Sequence, residues 1–134
     1  QKGYRITPEA FQSAEKALAL NPGVSWKFLA LHAPPHPLHG AYQHKDLNSN
    51  LNTIDAERVK FLAEKHQVSY VLSGHAHLYA RGKETGIVYL TSGGGGALLH
   101  NYNPLPGFSI STEKHLMLMH VDKDGIEEEK VTLK

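Results

Sequence analysis

The sequence predicts an α/β fold, an α+β sandwich in which a mixed sheet carries helices outside it and ends in a C-terminal β-hairpin. Three observations carry that expectation. Residues 26–31 and 68–72 are apolar runs that read as buried strands, with a helical segment between them, as a parallel crossover requires. Residues 86–92 form a third such run. Residues 115–121 and 126–133 flank Asp122-Lys123-Asp124-Gly125, a turn sequence suited to a hairpin.

The elements follow in order. Thr7 offers a capping hydroxyl, Pro8 suits the first helical position and Glu9 puts an acid in the first turn, so a helix runs to about Leu20. Asn21-Pro22-Gly23 ends it. The strand at 26–31 leads into His32-Ala33-Pro34-Pro35-His36-Pro37, whose prolines stop the ladder. Residues 34–52 form a loop rich in Pro, Gly, His and Asn, long enough to suggest function. Asn52 or Thr53 caps a second helix, residues 54–66. Glu57, Lys60 and Glu64 mark its wet face, while Ile54, Val59, Phe61, Leu62 and Ala63 form an apolar remainder suited to lying on a sheet. The strand at 68–72 runs into Gly74-His75-Ala76-His77. The strand at 86–92 runs into four glycines, Gly93 to Gly96, and an irregular stretch continues to Phe108. In the hairpin, Leu116, Leu118 and His120 alternate with Met117, Met119 and Val121, so both faces are expected to be buried.

Composition bounds the function. A chain of 134 residues with 40% hydrophobic and 20% charged residues supports one modest core and argues against disorder. A net charge of +1 gives no basic nucleic-acid surface, and no apolar run approaches the roughly 20 residues of a membrane span. The lack of cysteine excludes disulfides and thiolate metal sites and is compatible with a reducing, cytoplasmic compartment, without fixing one. The oddity is 10 histidines.

Three of them form the candidate site. His75 and His77 follow a strand, amid the small residues Ser73, Gly74 and Ala76. Neutral imidazole ligates zinc, iron, manganese and similar ions. Residues two apart in an extended segment share a side, so the two could reach one metal or two adjacent metals. His32 stands at the end of the preceding parallel strand, and ligands bind beyond the carboxyl ends of such strands. His32, His75 and His77 are therefore expected on one rim.

Taken in order, His32-Ala33-Pro34, Gly74 to His77 with the following Leu78-Tyr79-Ala80-Arg81, and the strand running into Gly93 to Gly96 resemble the calcineurin-like metallophosphoesterases, in particular their purple-acid-phosphatase-like branch. The resemblance covers residues 26–99. It implies a four-layer αββα fold and hydrolysis of phosphate esters by two divalent or trivalent metal ions, Mn, Fe, Zn or similar, which activate water and neutralise phosphoryl oxygens. His32 and His75 would bind one metal and His77 the other. In that branch a histidine beyond the His-x-Pro motif contacts phosphate or protonates the leaving group, which makes His44 and His39 the catalytic candidates. The family's Asp-x-His, Gly-Asp-x-x-Asp and Gly-Asn-His are absent. Residues 1–134 are thus expected to be the C-terminal portion of the domain, inactive alone, with the missing N-terminal half or a swapped homodimer as partner. The alternative is a non-catalytic binding or assembly module of that fold. A single structural zinc on His32, His75 and His77 ranks last, since closed sites take four ligands.

Other residues carry open readings. Gly93 to Gly96 could cradle a phosphate, or form a tight loop needing positive φ and close approach to the rim. Arg81 could pair with phosphate or with an acid of the missing half, or be solvated. His100 and Asn101 lie near the expected rim. His66 suits a helix end, and His115 and His120 read as structural.

Overall fold

A computed structural model of the chain describes residues 3–38, 50–102 and 104–134. Helix α1, Pro8–Ala19, begins as its sequence dictates: Thr7 accepts from the Ala10 N–H, and Pro8 occupies the first turn. Helix α2, Thr53–Lys65, is capped by Asn52, which accepts from the Asp55 N–H. Strands β1 (Phe28–Leu31), β2 (Tyr70–Ser73), β3 (Tyr79–Glu84), β4 (Ile87–Ser92) and β5 (Phe108–Ser111) make one five-stranded sheet among the described residues. Strands β6 (His115–Val121) and β7 (Ile126–Thr132) pair as a separate antiparallel hairpin.

The sheet order is β1-β2-β4-β3-β5. β1, β2 and β4 run parallel, so the crossover through α2 is as expected, while β3 and β5 add antiparallel pairings. The fold is α+β with a mixed sheet and a C-terminal hairpin. Strands β3 and β5 were not among the sequence expectations. β3 presents its small residues Ala80 and Gly82 to the buried face, and a Cβ on Gly82 would run into the Phe108 ring. No apolar alternation announces such a strand.

The described residues form three layers: helices, sheet and hairpin. On one face, Phe11, Ala56, Val59, Leu62 and Ala63 of the helices pack against Val71, Ile87 and Tyr89 of the sheet. Farther along that face Leu38, from the segment after β1, replaces a helix and covers Ala76, Leu78 and Ala80. Each fully buried Val, Leu, Ile or Phe side chain contributes roughly 1.5–3 kcal/mol through its removal from water, and each alanine less. The expected apolar face of α2 needs correction: Ile54 and Phe61 are 55% and 66% exposed, and only residues 56, 59, 62 and 63 carry its apolar contact. The other face of the sheet meets the hairpin. There Arg81 and Glu128 form a two-pronged ion pair at 2.7 and 2.8 Å, and the Tyr70 hydroxyl donates to the same carboxylate. The Arg81 guanidinium, ahead of the opposing burial, holds the Glu128 carboxyl below its ordinary value. Trp26 Nε1–H donates to the Asp122 carbonyl at 2.7 Å and fixes the hairpin tip. Arg81 is therefore paired within the chain and not held for an outside acid. Glu128→Gln is expected to cost about 1–2 kcal/mol, discounted because Arg81 is half-exposed, and to speed amide exchange in β6 and β7 ahead of β2 and β4. The expectation that both hairpin faces are buried fails as well: Leu116 and Leu118 are 49% and 46% exposed, and His120 is exposed.

His36 sits 4% exposed between the rings of Tyr89 and Phe108, at centroid distances of 4.6 and 4.7 Å. Its Nε2 stands 3.1 Å from the Glu84 carboxylate, off the line of a good hydrogen bond, and Lys60 lies 3.8 Å from that carboxylate. Burial pushes the imidazole below its ordinary value; Glu84 opposes this and Lys60 adds to it. The unfolded chain then binds the proton more readily. Stability is complete above about pH 6.5, the ordinary imidazole value, and falls as pH drops through the lower folded value. Chemical denaturation at pH 7 and pH 5 is expected to show that loss, and His36→Phe is expected to reduce it.

Candidate metal centre

The carboxyl ends of β1 and β2 place two imidazoles together. His32 follows the last residue of β1, and its carbonyl accepts from the Gly74 N–H at 3.1 Å, tying the two strand ends. His32 Nε2 lies 2.8 Å from His75 Nδ1. One nitrogen must carry the proton and the other the lone pair. Donors roughly 2.1 Å from one ion and 90–109° apart stand about 3.0–3.4 Å from each other, so a shift of a few tenths of an ångström would let both face an ion.

The turn itself is not extended. His75 adopts φ 58°, the left-handed region, and short bonds from Ala76 N–H to Gly74 O and from Leu78 N–H to Ala76 O tighten the backbone at 2.6 and 2.7 Å. This corrects the expectation that His75 and His77 share a side. His75 turns to His32. His77 turns away: its Nδ1 lies 2.9 Å from the Leu98 carbonyl and must donate to it, leaving the lone pair on Nε2. Its ring stacks on His100 at 4.1 Å, and the His100 N–H donates to the His77 carbonyl at 3.0 Å. His100 thus belongs to the rim. Burial, then the neighbouring histidines, push the His75 and His100 imidazoles below their ordinary value, which keeps them neutral at pH 7.

The glycine loop packs under this turn. Gly93 N–H donates to Leu78 O at 3.0 Å, so that donor is not offered to an anion. A Cβ on Gly93 would fall on the Ala76 carbonyl, and one on Gly94 would meet the His115 ring. Gly93 and Gly94 are needed for close approach, whereas a Cβ on Gly95 would make only ordinary contact and one on Gly96 none; positive φ, the other half of the expectation, is found at Gly3, Gly86 and Gly107 instead. His115 is structural, bonded to Ser92 Oγ and the Glu113 carbonyl.

One residue of the site escaped the sequence: Tyr4. Its ring stands edge-on to His32 and His75, at centroid distances of 5.6 and 4.7 Å. Nothing in its sequence neighbourhood marks it. It arrives through the cap of α2, a long-range contact.

His39 and His44 lie outside the described residues. Among the described residues, no three His, Cys, Asp or Glu side chains gather as a group able to hold an ion. Asp55 is buried, but it accepts from the Ile6 N–H and Asn52 Nδ2 and faces Arg58. These residues could offer an ion only part of a ligand set: two imidazole nitrogens on one side from His32 and His75, and a separate Nε2 from His77. Neutral imidazoles add no negative charge to offset two neighbouring cations.

By sequence, the chain matches no family model and no curated protein. By structure, it is similar to purple acid phosphatase PPD1 from seeds of yellow lupin (Lupinus luteus), with a TM-score of 0.72 and 19% identity over 94% of this chain. It is also similar to GAP50, described as the anchor in the inner membrane complex of Plasmodium, with a TM-score of 0.68 and 13% identity over 92% of this chain. The chain spans 26% and 38% of those two proteins' lengths. At such identities the likeness shows the fold alone, a metallophosphoesterase-like fold.

Proposed function

We propose that the chain is the C-terminal part of a metallophosphoesterase domain that hydrolyses phosphate esters with two metal ions. The observation that supports this best is the His32–His75 contact at 2.8 Å, which joins residues 43 positions apart at the ends of adjacent parallel strands. His32 and His75 would hold one ion, and His77 would offer Nε2 to the second. When bound, the ions supply positive charge to the phosphoryl oxygens and acidify water. Leu98 and His100 orient His77, and Tyr4 stands over the other pair. His44 or His39 would contact phosphate or give the leaving group its proton. The remaining ligands, including carboxylates, would come from polypeptide outside these residues, so little activity is expected from the chain alone.

Cobalt titration of the chain, with and without the His32→Ala and His75→Ala substitutions, tests this reading. Binding lost in both variants supports it, whereas equal uptake by all three proteins would sink it.

A second reading is favoured by the outer edge of β1, with which no strand pairs among the described residues, and by the half-exposed Leu116 and Leu118. An unpaired edge recruits another strand, and the likeness to GAP50 allows a non-catalytic assembly module built on this fold. Sedimentation of the same histidine variants separates the two: the module predicts self-association that ignores both substitutions and metal.

A further inference from the structure

We infer that Tyr4 is the positioning residue of the histidine pair: its ring fixes His32 and His75 in the arrangement from which both can face one ion. The metal part of this inference rests on the proposed function; the geometric part does not.

Tyr4 is anchored through both its backbone N–H and its carbonyl. Its N–H donates to the Asn50 carbonyl at 3.0 Å, and its carbonyl accepts from both the backbone N–H and the side-chain Nδ2 of Asn52 at 2.9 Å. Two residues on, the Ile6 N–H donates to Asp55 Oδ2 at 2.9 Å, and Asn52 Nδ2 donates to the same oxygen at 2.7 Å. Asn52 also caps α2 through Oδ1, so both Nδ2 protons and the Oδ1 are engaged, one Nδ2 proton at the Tyr4 carbonyl and the other bonds at the start of α2. Asn52 and Asp55 are 3% and 5% exposed, and a polar pair so buried and satisfied holds its partners in one geometry. A Cβ on Gly3 would collide with the Asn52 backbone, so glycine is what lets the segment approach this closely.

The ring held by that anchor meets both imidazoles at steep angles, 72° to His32 and 68° to His75. Edge-to-face is the favoured meeting of aromatic rings, positive edge against negative face. His32 is otherwise exposed, and His75 is half-buried. Besides the phenol ring, the ring contact described for this pair is the one between the two imidazoles themselves, 4.6 Å between centroids. The chain thus supplies its histidine pair with an orienting neighbour, a role often filled at metal sites by hydrogen-bonded groups.

The test compares wild type, Tyr4→Ala and Tyr4→Phe in the 134-residue chain, using cobalt(II) as the ion. The first readout is metal-free: the ring-proton signals of His32 and His75 by NMR. Tyr4→Ala is expected to shift and broaden both, and Tyr4→Phe to restore them, with β6 and β7 amides unchanged as the folding control. The second readout is cobalt affinity, expected to fall about tenfold in Tyr4→Ala and to recover in Tyr4→Phe. Histidine signals unchanged in Tyr4→Ala would overturn the inference, and so would a phenylalanine variant that behaves like alanine, since the hydroxyl would then be the working group. If wild type takes up no more cobalt than His32→Ala/His75→Ala, the functional reading fails, and Tyr4 is still judged by the metal-free signals.

Discussion

Gly93→Ala is expected to destabilise the chain by about 3 kcal/mol, the upper end of overpacking costs, and so to lower its melting temperature by about 10 °C. The new methyl group would land on the Ala76 carbonyl. That carbonyl already accepts from Leu78 N–H at 2.7 Å inside a turn closed by Ala76 N–H to Gly74 O at 2.6 Å, so it has little room to yield. The turn must move, and His77 moves with it. Gly96→Ala is the internal control, since nothing lies within reach of a Cβ there, and it is expected to change stability by less than about 0.5 kcal/mol. Equal thermal shifts for the two variants would falsify the close-approach account of the glycine run. The distinction also bears on function. If the run were a phosphate cradle, both substitutions would weaken phosphate binding and neither would need to disturb the histidine turn.

What the sequence made legible, and what it did not, follows from the range of the interactions. Helix starts are written locally: Thr7 and Asn52 each bond an N–H three residues ahead, so the cap is visible in a few letters. Strands β2 and β4 are visible as apolar runs because β4 is buried on both faces and β2 over its first half, whereas β1, expected to be buried, alternates exposed and half-buried residues, with Phe28 37% exposed. From those two facts the meeting of His32 and His75 at one rim could be expected. The exposed positions of α2 could not. Ile54 and Phe61 read as core, yet the sheet beneath α2 engages only the narrow stripe through Val59 and Ala63. Within the site, the missed features are conformational or long-range. A histidine at positive φ is not marked by its neighbours, and it separates His75 from His77 where alternation would align them. Tyr4 depends on Asn52 and Asp55, 48 and 51 positions away, to reach the imidazoles.

The second large effect concerns that strained histidine, and it separates function from stability within one position. His75→Ala and His75→Gly both remove the imidazole that His32 faces at 2.8 Å. If His75 ligates the ion as proposed, both are expected to weaken cobalt binding by about 100-fold, since loss of a merely orienting partner already costs 10–100-fold. Their stabilities should differ. Alanine must keep the left-handed backbone at φ 58° and pay its steric cost, whereas glycine adopts that conformation freely. Glycine is therefore expected to be the more stable variant by about 1 kcal/mol, even after its greater freedom in the unfolded chain is counted. Denaturant midpoints and cobalt titrations on the same two proteins check both halves. A glycine variant no more stable than alanine would show that position 75 is unstrained. A glycine variant that is stable and still binds cobalt like wild type would remove His75 from the metal centre. The expected outcome, a glycine variant more stable than alanine and about 100-fold weaker in cobalt binding, is that of a residue whose local conformation is unfavourable and whose side chain serves what it touches.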